Sequence, residues 1–264
     1  MLSQIFHVIL YQPLFNIFVF LYNIIPAHDV GITIILLTLL VRLVLWPLTS
    51  SSIKSQRTLQ EMQPKMNEIK KKFANDKQAQ AQATMELYKT TKVHPLASCL
   101  PTLLQLPILI ALYLVLRDGL ASSNIAQNLY SFIGNPGTIN PVSFGIFNLS
   151  QASIVLAVLA GVAQFFQAKT LSRKSPPKEA GAGAKDEDMM SMMNKQMLYL
   201  MPLMTILIGS RFPAGLTLYW FFSTLLMVLQ QLYVNNKLAK AKPPTTDTKP
   251  PSIGGNVIEG EIIK

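Results

Sequence analysis

The hydrophobic positions of this chain form long apolar runs separated by polar or Lys-rich segments. Half of its 264 residues are hydrophobic and only 14% are charged, and roughly 20 apolar residues suffice for a helix to cross a bilayer. The runs predict five spans, at about residues 30–48, 96–116, 149–168, 196–212 and 214–234. The alternating segments typical of a membrane barrel are missing. We therefore predict an all-α polytopic membrane protein, a five-span helical bundle.

The N-terminal 25 residues contain no Asp, Glu, Lys or Arg, but Pro13 and Asn16 interrupt them midway. Proline is favoured in the first turn of a helix. We therefore interpret Pro13 to Ile25 as a helix that lies in the outer interface of the membrane, ahead of the first span. The alternative is a sixth span with Met1 on the cytoplasmic side. Charge cannot decide between the two, because this end carries none to count.

Apolar residues between the first two spans recur every three or four positions, the spacing of helices that pack through one face. The first series is Leu59, Met62, Met66, Ile69 and Phe73, and the second, after Asn75-Asp76, is Ala81, Met85 and Tyr88. These series predict a cytoplasmic helical hairpin, with a kink or a fresh helix start at Pro64. It is either a self-packed hairpin with a solvated basic face or a docking arm for ribosomes or targeting factors.

Two further segments have the composition of linkers. Residues 172–188 mix Pro, Gly and charges, and the tail from Lys242 carries Pro-Pro and Gly-Gly pairs, so we expect a mobile linker and a disordered tail. The predicted segments are an interfacial helix at 1–28, spans at 29–50, 96–117, 149–169 and 196–235 (the last range holding two), a hairpin at 51–95, an external loop at 118–148, a cytoplasmic linker at 170–195 and a cytoplasmic tail at 236–264.

The positive charges predict the orientation, because Lys and Arg concentrate in cytoplasmic segments. Nine lie in residues 49–95, six in 169–195 and five after Val234, whereas residues 1–41 and 118–148 contain none. The N-terminus is therefore expected outside and the C-terminus in the cytoplasm. This pattern explains most of the net charge of +10, so anionic lipids are expected partners and recognition of a specific nucleic acid sequence is not.

Candidate enzymatic chemistry is scarce. Cys99 is the sole cysteine, so no disulfide is expected, and His7, His28 and His94 lack the spacing of metal ligands. The chain has no Gly-rich phosphate loop, and its candidate spans contain no Asp or Glu for a proton relay. We expect neither an enzyme nor a bound cofactor. The absence of an Arg- and Ser-rich presequence favours a bacterial plasma membrane.

Arg42 is the only charge in the apolar stretch Val30 to Trp46, and a lone intramembrane cation indicates function by default. Snorkelling toward headgroups is the alternative. Polar residues of this and other spans fall at a similar estimated depth: Thr38 in the first span, and Gln105, Gln164, Ser223 and Thr224 in the others. Buried amides and hydroxyls either hydrogen-bond one another or line a hydrated space. We predict a polar cavity around Arg42, open toward the cytoplasm or the inner leaflet.

Several segments resemble the YidC/Oxa/Alb membrane protein insertases, in the short bacterial form without a large external domain. They are Pro13-Leu14-Phe15, TIILLTLLVRLVLWPLT from Thr33, KSQRTLQEMQPKMNEIKKKF from Lys54, LYKTTKVHPLASCLPTLLQLPILIALY from Leu87 and FPAGLTLYWFFSTLLMVLQQ from Phe212. The resemblance implies a five-span core around a hydrophilic groove, with Arg42 at its centre and Gln105 and Trp220 at matching groove positions.

The resemblance also implies a function. The chain is expected to insert nascent membrane proteins and help them fold, alone or with the Sec translocon, and to work with the ribosome and signal recognition components. A small-solute channel or transporter, or an assembly factor without insertion activity, is the alternative. A transporter would show inverted repeats or broken helices in matching halves, and only the short fourth span with Pro202 hints at one.

Overall fold

A computed structural model describes residues 2–74, 76–91, 100–120, 125–171 and 196–240. These residues are mostly helical, as predicted. The helices are α1 (Leu2–Phe6), α2 (Gln12–Ile24), α3 (Val30–Lys72), α4 (Lys77–Thr90), α5 (Leu100–Leu120), α6 (Ile125–Asn128), α7 (Ile154–Leu171), α8 (Met201–Gly209) and α9 (Ala214–Lys240), with strands β1 (Val142–Ser143) and β2 (Phe147–Asn148). Cys99, His94, most of the predicted linker and the tail from residue 241 lie outside the described residues.

Four helical segments are long and apolar enough to cross a membrane: Ser3–Ile24, Val30–Lys72, Leu103–Leu120 and Ala214–Lys240. The helices of the predicted third and fourth spans, Ile154–Thr170 and Gln196–Gly209, are apolar but shorter. The chain is a multi-pass membrane protein built of helices.

The N-terminal helix differs from the predicted one in where it begins. It starts at Leu2 and passes through a π-helical turn, His7–Tyr11, into α2. Pro13 therefore lies inside a continuous helical segment. The wider turn explains this, because a proline ring normally clashes with the carbonyl four residues earlier. A second π-helical turn, Gln196–Leu200, likewise stands just before Pro202 of α8.

Helix α3 combines the predicted first span and the first arm of the hairpin in one helix. It continues through both Pro47 and Pro64, so no fresh start occurs at Pro64. The Asp76 carboxylate caps α4 by accepting hydrogen bonds from the amides of Gln78 and Ala79. The two arms touch through Tyr88, whose hydroxyl lies 3.7 Å from the Met66 sulfur. The helical hairpin is thus a direct extension of the first span.

The segment between α5 and α7 is fastened to the N-terminal helix by several hydrogen bonds. The Asn16 amide nitrogen donates to the Asn128 carbonyl, and its oxygen accepts from the Tyr130 amide. The Asn23 side chain donates to the Gly134 carbonyl. Strands β1 and β2 form a small antiparallel hairpin in this segment, which the sequence analysis treated only as an external loop.

Helix α9 is the centre of the bundle and packs against α3, α5, α7 and α8. The largest hydrophobic core lies around the beginnings of α3 and α9. It includes Phe15, Phe18, Val30, Leu37, Leu112 and Tyr219. That side of the molecule is therefore filled with packed side chains.

Asp29 links the start of α3 to the β-hairpin. Its carboxylate accepts from the amides of Gly31 and Ile32, and also from the Ser143 hydroxyl and the Phe144 amide. Burial alone would raise its pKa, but the Ser143 bond and the three amide bonds outweigh this and hold the pKa below its usual value. The ionised carboxylate therefore stabilises the fold.

Replacing Asp29 by alanine is expected to lower the free energy of unfolding by about 1–3 kcal/mol, since the cap and the link to the hairpin are both lost. Asparagine keeps the cap and should cost less. Because the folded pKa is lowered, the wild-type advantage over Asp29→Asn should be full above about pH 4 and disappear at lower pH. Thermal unfolding of the three proteins across pH tests this, and an advantage that persists at low pH would contradict it.

Candidate functional site

Arg42 lies on α3 and its guanidinium points to α9. Nε and Nη2 donate to the Ser223 hydroxyl at 3.0 and 2.6 Å, and Nη1 lies 3.1 Å from the Met227 sulfur. No carboxylate among the described residues pairs with it. The contacts hold the guanidinium against a neighbouring helix.

A second polar contact joins the same two helices seven residues further on. Thr49 of α3 and Gln230 of α9 are hydrogen-bonded at 2.8 Å. Arg42 and Ser223 are 181 positions apart in the chain, and so are Thr49 and Gln230. The two helices therefore run parallel in one register. A seven-residue step corresponds to about two helical turns, which returns to the same face.

The Gln230 side chain is almost completely buried and joins three groups of α3. Its amide nitrogen lies 3.0 Å from the Trp46 carbonyl oxygen, 2.8 Å from the Thr49 hydroxyl and 2.9 Å from the Ser50 hydroxyl, so these three acceptors share its two N–H donors. Gln231, on another face, accepts from Thr170 of α7 at 2.6 Å. These two amides connect helices, which is the interhelical alternative considered for individual glutamines.

Gln105 contacts α9 one turn before Ser223. Its amide nitrogen donates to the Tyr219 hydroxyl at 2.6 Å. Residues 219 and 223 are four apart and share a helix face, so Tyr219, Ser223 and Met227 form a polar and sulfur-bearing stripe directed at α3 and α5. The Tyr219 ring is buried, while Gln105 is only half-buried.

The other predicted site residues make no such contacts. The Thr38 hydroxyl is buried and donates to the Ile34 carbonyl of its own helix at 2.6 Å, so it is not directed at Arg42. Gln164 and Trp220 are half-buried and Thr224 is buried. Within the described part of the chain, the Gln164 side chain has no hydrogen-bond partner. The structure thus groups Arg42 with Ser223, and Gln105 with Tyr219.

Sequence analysis missed Tyr219, Met227 and Thr49. Tyr219 and Met227 lie four residues before and after Ser223, so helical spacing from Ser223 was a usable signal for both. Thr49 was hidden because it lies at the edge of the predicted span, where a hydroxyl carries little information. The described residues include no cluster of three or more His, Cys, Asp or Glu side chains able to hold a metal.

The sequence of this chain matches a known protein family over most of its length. Residues 20–241 match the family described as 60Kd inner membrane protein. The chain is 38% identical over 207 residues to the membrane protein insertase YidC of Fusobacterium nucleatum, an alignment that covers 78% of this chain and 86% of the relative. The insertase YidC of Oceanobacillus iheyensis is 36% identical over 217 residues, with 80% and 77% covered.

Longer relatives also match. The insertase YidC of Citrifermentans bemidjiense is 32% identical over 228 residues, which is 86% of this chain and 37% of the relative. The chain thus spans most of the shorter relatives and little more than a third of the longer one.

Proposed function

The chain belongs to the 60Kd inner membrane protein family, and we propose that it is a membrane protein insertase and chaperone that brings integral membrane proteins into the bilayer. The relatives reported above are named for this activity. The observation that carries the proposal is Arg42, a cation inside an apolar span with no carboxylate partner among the described residues. A cation held in this way attracts any anion that can reach it.

The hydrogen bonds of Arg42 leave part of the guanidinium free to bind a client, that is, a membrane protein in the course of insertion. A guanidinium carries five N–H donors, and its three nitrogens each make one contact, to Ser223 or Met227. None of these contacts neutralises the charge. The translocated flank of a client is the polar segment beside its membrane span that must cross the bilayer. An acidic side chain in this flank could therefore bind both to the charge and to the unused N–H donors of Arg42.

The surroundings of Arg42 support a groove that is closed on one side. Ile34 and Leu37, which precede Arg42 on α3, are buried in the hydrophobic core. Leu43 and Val44, directly after it, are exposed, as expected for residues that face lipid or a client. The half-buried Gln105 adds a polar group at Tyr219, one turn of α9 before Ser223. A client flank can thus enter from the side toward which α3 and α9 run.

Insertion in this mechanism is driven by partitioning rather than by nucleotide hydrolysis. Arg42 attracts the acidic flank, and polar neighbours reduce the cost of taking it into the membrane. The apolar part of the client then moves into lipid, which contributes about 25 cal/mol for each Å² of apolar surface removed from water. For a whole span this gain exceeds the cost of moving a short polar flank.

Cysteine accessibility tests the groove, in a Cys99→Ala background. Single substitutions Gln105→Cys and Gln164→Cys should react with a water-soluble maleimide, because both side chains are half-buried in a space that we take to be hydrated. Thr38→Cys should not react, since position 38 is buried, and Ile110→Cys, exposed on α5, should be protected by lipid. Labelling yields from one membrane preparation are compared, and protection of Gln105→Cys and Gln164→Cys would indicate a dry contact instead.

The helical hairpin of α3 and α4 is proposed as the docking arm for the ribosome and signal recognition components. It is basic and continues the first span without a break. Its base is held by Arg57, which donates to the Asn235 carbonyl of α9 at 2.8 Å and forms an ion pair with Glu61. A force that a bound ribosome exerts on the hairpin would therefore also act on α9, the helix that carries Ser223.

Removing residues 63–91 and joining the ends with a flexible linker should strongly reduce insertion of ribosome-bound clients while leaving the spans folded. The cut begins after Met62 because Arg57 and the buried Met62 belong to the base of the arm. Insertion yield and melting temperature are measured together. Normal insertion by a normally folded deletion protein would refute the docking role.

The proposed location is the bacterial plasma membrane, with the N-terminus outside and the C-terminus in the cytoplasm. The Lys and Arg of 49–95 and of the tail support this orientation, because such residues favour cytoplasmic segments. They are also the groups through which anionic lipids would bind. Cooperation with the Sec translocon is proposed for clients that this chain does not insert alone.

Reconstitution tests the function directly. The purified protein, placed in liposomes without other proteins, should insert a small single-span client, measured by protection of its translocated flank from protease. An assembly factor would bind the client without raising its insertion above that of empty liposomes. A channel would release a trapped small solute without inserting the client. Either result would overturn the proposal.

A further inference from the structure

The tip of the β1–β2 hairpin exposes a group of large apolar side chains. Phe144 is 54% exposed and Ile146 is 77% exposed, and the neighbouring Phe147 is also exposed. Single exposed apolar residues are ordinary on a protein surface, whereas a cluster indicates a contact surface. This tip is therefore a candidate for contact with lipid or with another protein.

The backbone at the tip is strained in a way that displays Phe144. The Ile146 amide donates to the Ser143 carbonyl at 3.2 Å and closes a tight turn, in which Phe144 has φ 52° and Gly145 has φ 70°. A bulky residue in this region is an outlier, and Asn or Gly would occupy it at lower cost. Such strain persists only where the surroundings impose it, and it concentrates at functional positions.

Asp29 and Gly31 impose this conformation from the start of α3. The Asp29 carboxylate accepts from the Phe144 amide at 2.6 Å and from the Ser143 hydroxyl. A Cβ atom at Gly31 would lie only 2.0 Å from the Ser143 oxygen, so only glycine allows this close approach. The turn is therefore fixed on the first turn of a helix long enough to cross the membrane.

A second fixation, at the start of α9, places the hairpin at the membrane boundary. The amides of Ala214 and Gly215 donate to the carbonyls of Gln151 and Leu149, just after β2. Both α3 and α9 are long and apolar enough to cross a bilayer, and apolar spans begin near the headgroup level. The hairpin is thus tied to the beginnings of two spans on one side of the membrane.

The composition of this segment favours lipid over water or a charged partner. No Asp, Glu, Lys or Arg occurs from Gly119 to Ala168, so the segment itself brings no charge that would lose hydration on entering the headgroup region. The one carboxylate bonded to the tip among the described residues, that of Asp29, already accepts hydrogen bonds from Ser143 and Phe144. Ile154 and Val155, at the start of α7, are exposed apolar residues a few positions further on. The exposed apolar residues of the hairpin are thus followed, a few positions later, by those of an apolar helix.

We propose that the tip of the β1–β2 hairpin, through Phe144 and Ile146, is a lipid-contacting wedge in the leaflet on the side where α3 and α9 begin. This inference depends on the chain being a membrane protein and is independent of its insertase activity. Its role is to hold the segment between α5 and α7 at the bilayer surface. Aromatic and aliphatic side chains at that level gain energy by leaving water while their backbone stays hydrated.

Spin labels in lipid nanodiscs that hold one copy of the full chain test the wedge. In a Cys99→Ala background, labels are attached at Phe144→Cys, at Ile146→Cys, at Thr138→Cys as an exposed polar control in the same segment, and at Ile154→Cys as a lipid reference. Oxygen, which concentrates in lipid, and a water-soluble nickel chelate are the relaxing agents. Oxygen should relax the labels at 144 and 146 more strongly than nickel does, as it does for the label at 154. The label at 138 should be relaxed more strongly by nickel.

Three other outcomes overturn the proposal. Nickel access at 144 and 146 equal to that at 138 would show a tip in water. Protection from both agents would show that protein covers the tip, and protection that appears only in discs with two copies would assign the tip to a second copy. In addition, Phe144→Asn, which suits positive φ, should leave the melting temperature in detergent unchanged or raised. A clear decrease would mean that the ring packs within the protein, contrary to the wedge.

Discussion

Replacing Arg42 with alanine is expected to reduce insertion of clients with acidic translocated flanks by at least about tenfold, while clients with neutral, strongly apolar flanks insert nearly as before. A charge pair at about 4 Å and an effective dielectric constant near 20 is worth about 4 kcal/mol, and a tenfold loss needs only about 1.4 kcal/mol. The measurement is insertion of matched acidic and neutral clients at equal protein level.

Two further substitutions at Arg42 separate charge from shape. Arg42→Lys should retain much of the activity, because the charge remains although the planar fork is lost. Arg42→Glu should be worse than alanine for acidic clients, since the groove would then repel the flank that it must admit. Ser223→Ala is the matched control, because it removes the acceptor of two guanidinium contacts and leaves the charge. It should preserve the preference for acidic clients.

A different outcome would refute the electrostatic mechanism. If all the variants insert both client classes equally and differ only in melting temperature, Arg42 acts as a structural residue. The contacts to Ser223 and Met227 would then be its function. Equal loss for acidic and neutral clients would likewise argue for a folding defect rather than for attraction of client anions.

Much of the helical architecture was predictable because it depends on the number of consecutive apolar residues. The runs at 30–48 and 214–234 correspond to the apolar parts of α3 and α9. Helix ends were less predictable where a proline occurs. Pro13 suggested a helix start, and Pro64 a kink or a fresh helix start, but a π-helical turn precedes Pro13 and α3 continues through Pro64. Whether a helix stops at a proline depends on packing partners, which the local sequence does not specify.

The pairing of site residues could not be predicted, because it depends on the register and rotation of neighbouring helices. Ser223 and Thr224 are adjacent and chemically similar, yet only Ser223 accepts from Arg42. Thr38 is one turn before Arg42, but its hydroxyl bonds to its own backbone. Estimated depth therefore identified candidate residues, and it carried no information on which side of a helix faces which neighbour.

The strand hairpin was missed for a similar reason. Its two strands have two residues each, too short for an alternating pattern to be recognised. Its conformation is set by contacts with Asp29 and Gly31, more than 100 positions earlier in the chain. The sequence analysis assigned no role to Gly31, and its close approach to Ser143 became visible only in three dimensions.

A loss of stability is also expected at Gln230, which carries no charge and has no direct role in the proposed attraction of clients. Replacement of Gln230 by leucine should lower the free energy of unfolding by about 1–3 kcal/mol, because the buried Thr49 hydroxyl, the Ser50 hydroxyl and the Trp46 carbonyl lose a shared partner. Unfolding in detergent, followed by helical signal, measures the change.

Gln231 offers a matched control next to it in the chain. It is equally buried, at 1% exposure for both residues, but its amide nitrogen has no partner among the described residues. Its oxygen accepts from Thr170, which also donates to the Gln167 carbonyl of its own helix, just as Thr49 also donates to the Leu45 carbonyl. The two positions therefore differ in the amide nitrogen, which contacts three groups of α3 only at Gln230. Gln231→Leu should therefore cost clearly less than Gln230→Leu, although the two substitutions remove the same atoms from equally buried positions.

A double substitution then shows whether Gln230→Leu destabilises the protein through lost hydrogen bonds or through altered packing. Removing one member of a buried hydrogen-bonded pair leaves the other unsatisfied, whereas replacing both with apolar groups of similar shape costs little. Gln230→Leu combined with Thr49→Val should thus be more stable than Gln230→Leu alone, while Ser50, which is half-buried, can turn toward water. If the double variant is less stable than either single variant, or if Gln231→Leu costs as much as Gln230→Leu, then packing rather than hydrogen bonding holds α3 against α9.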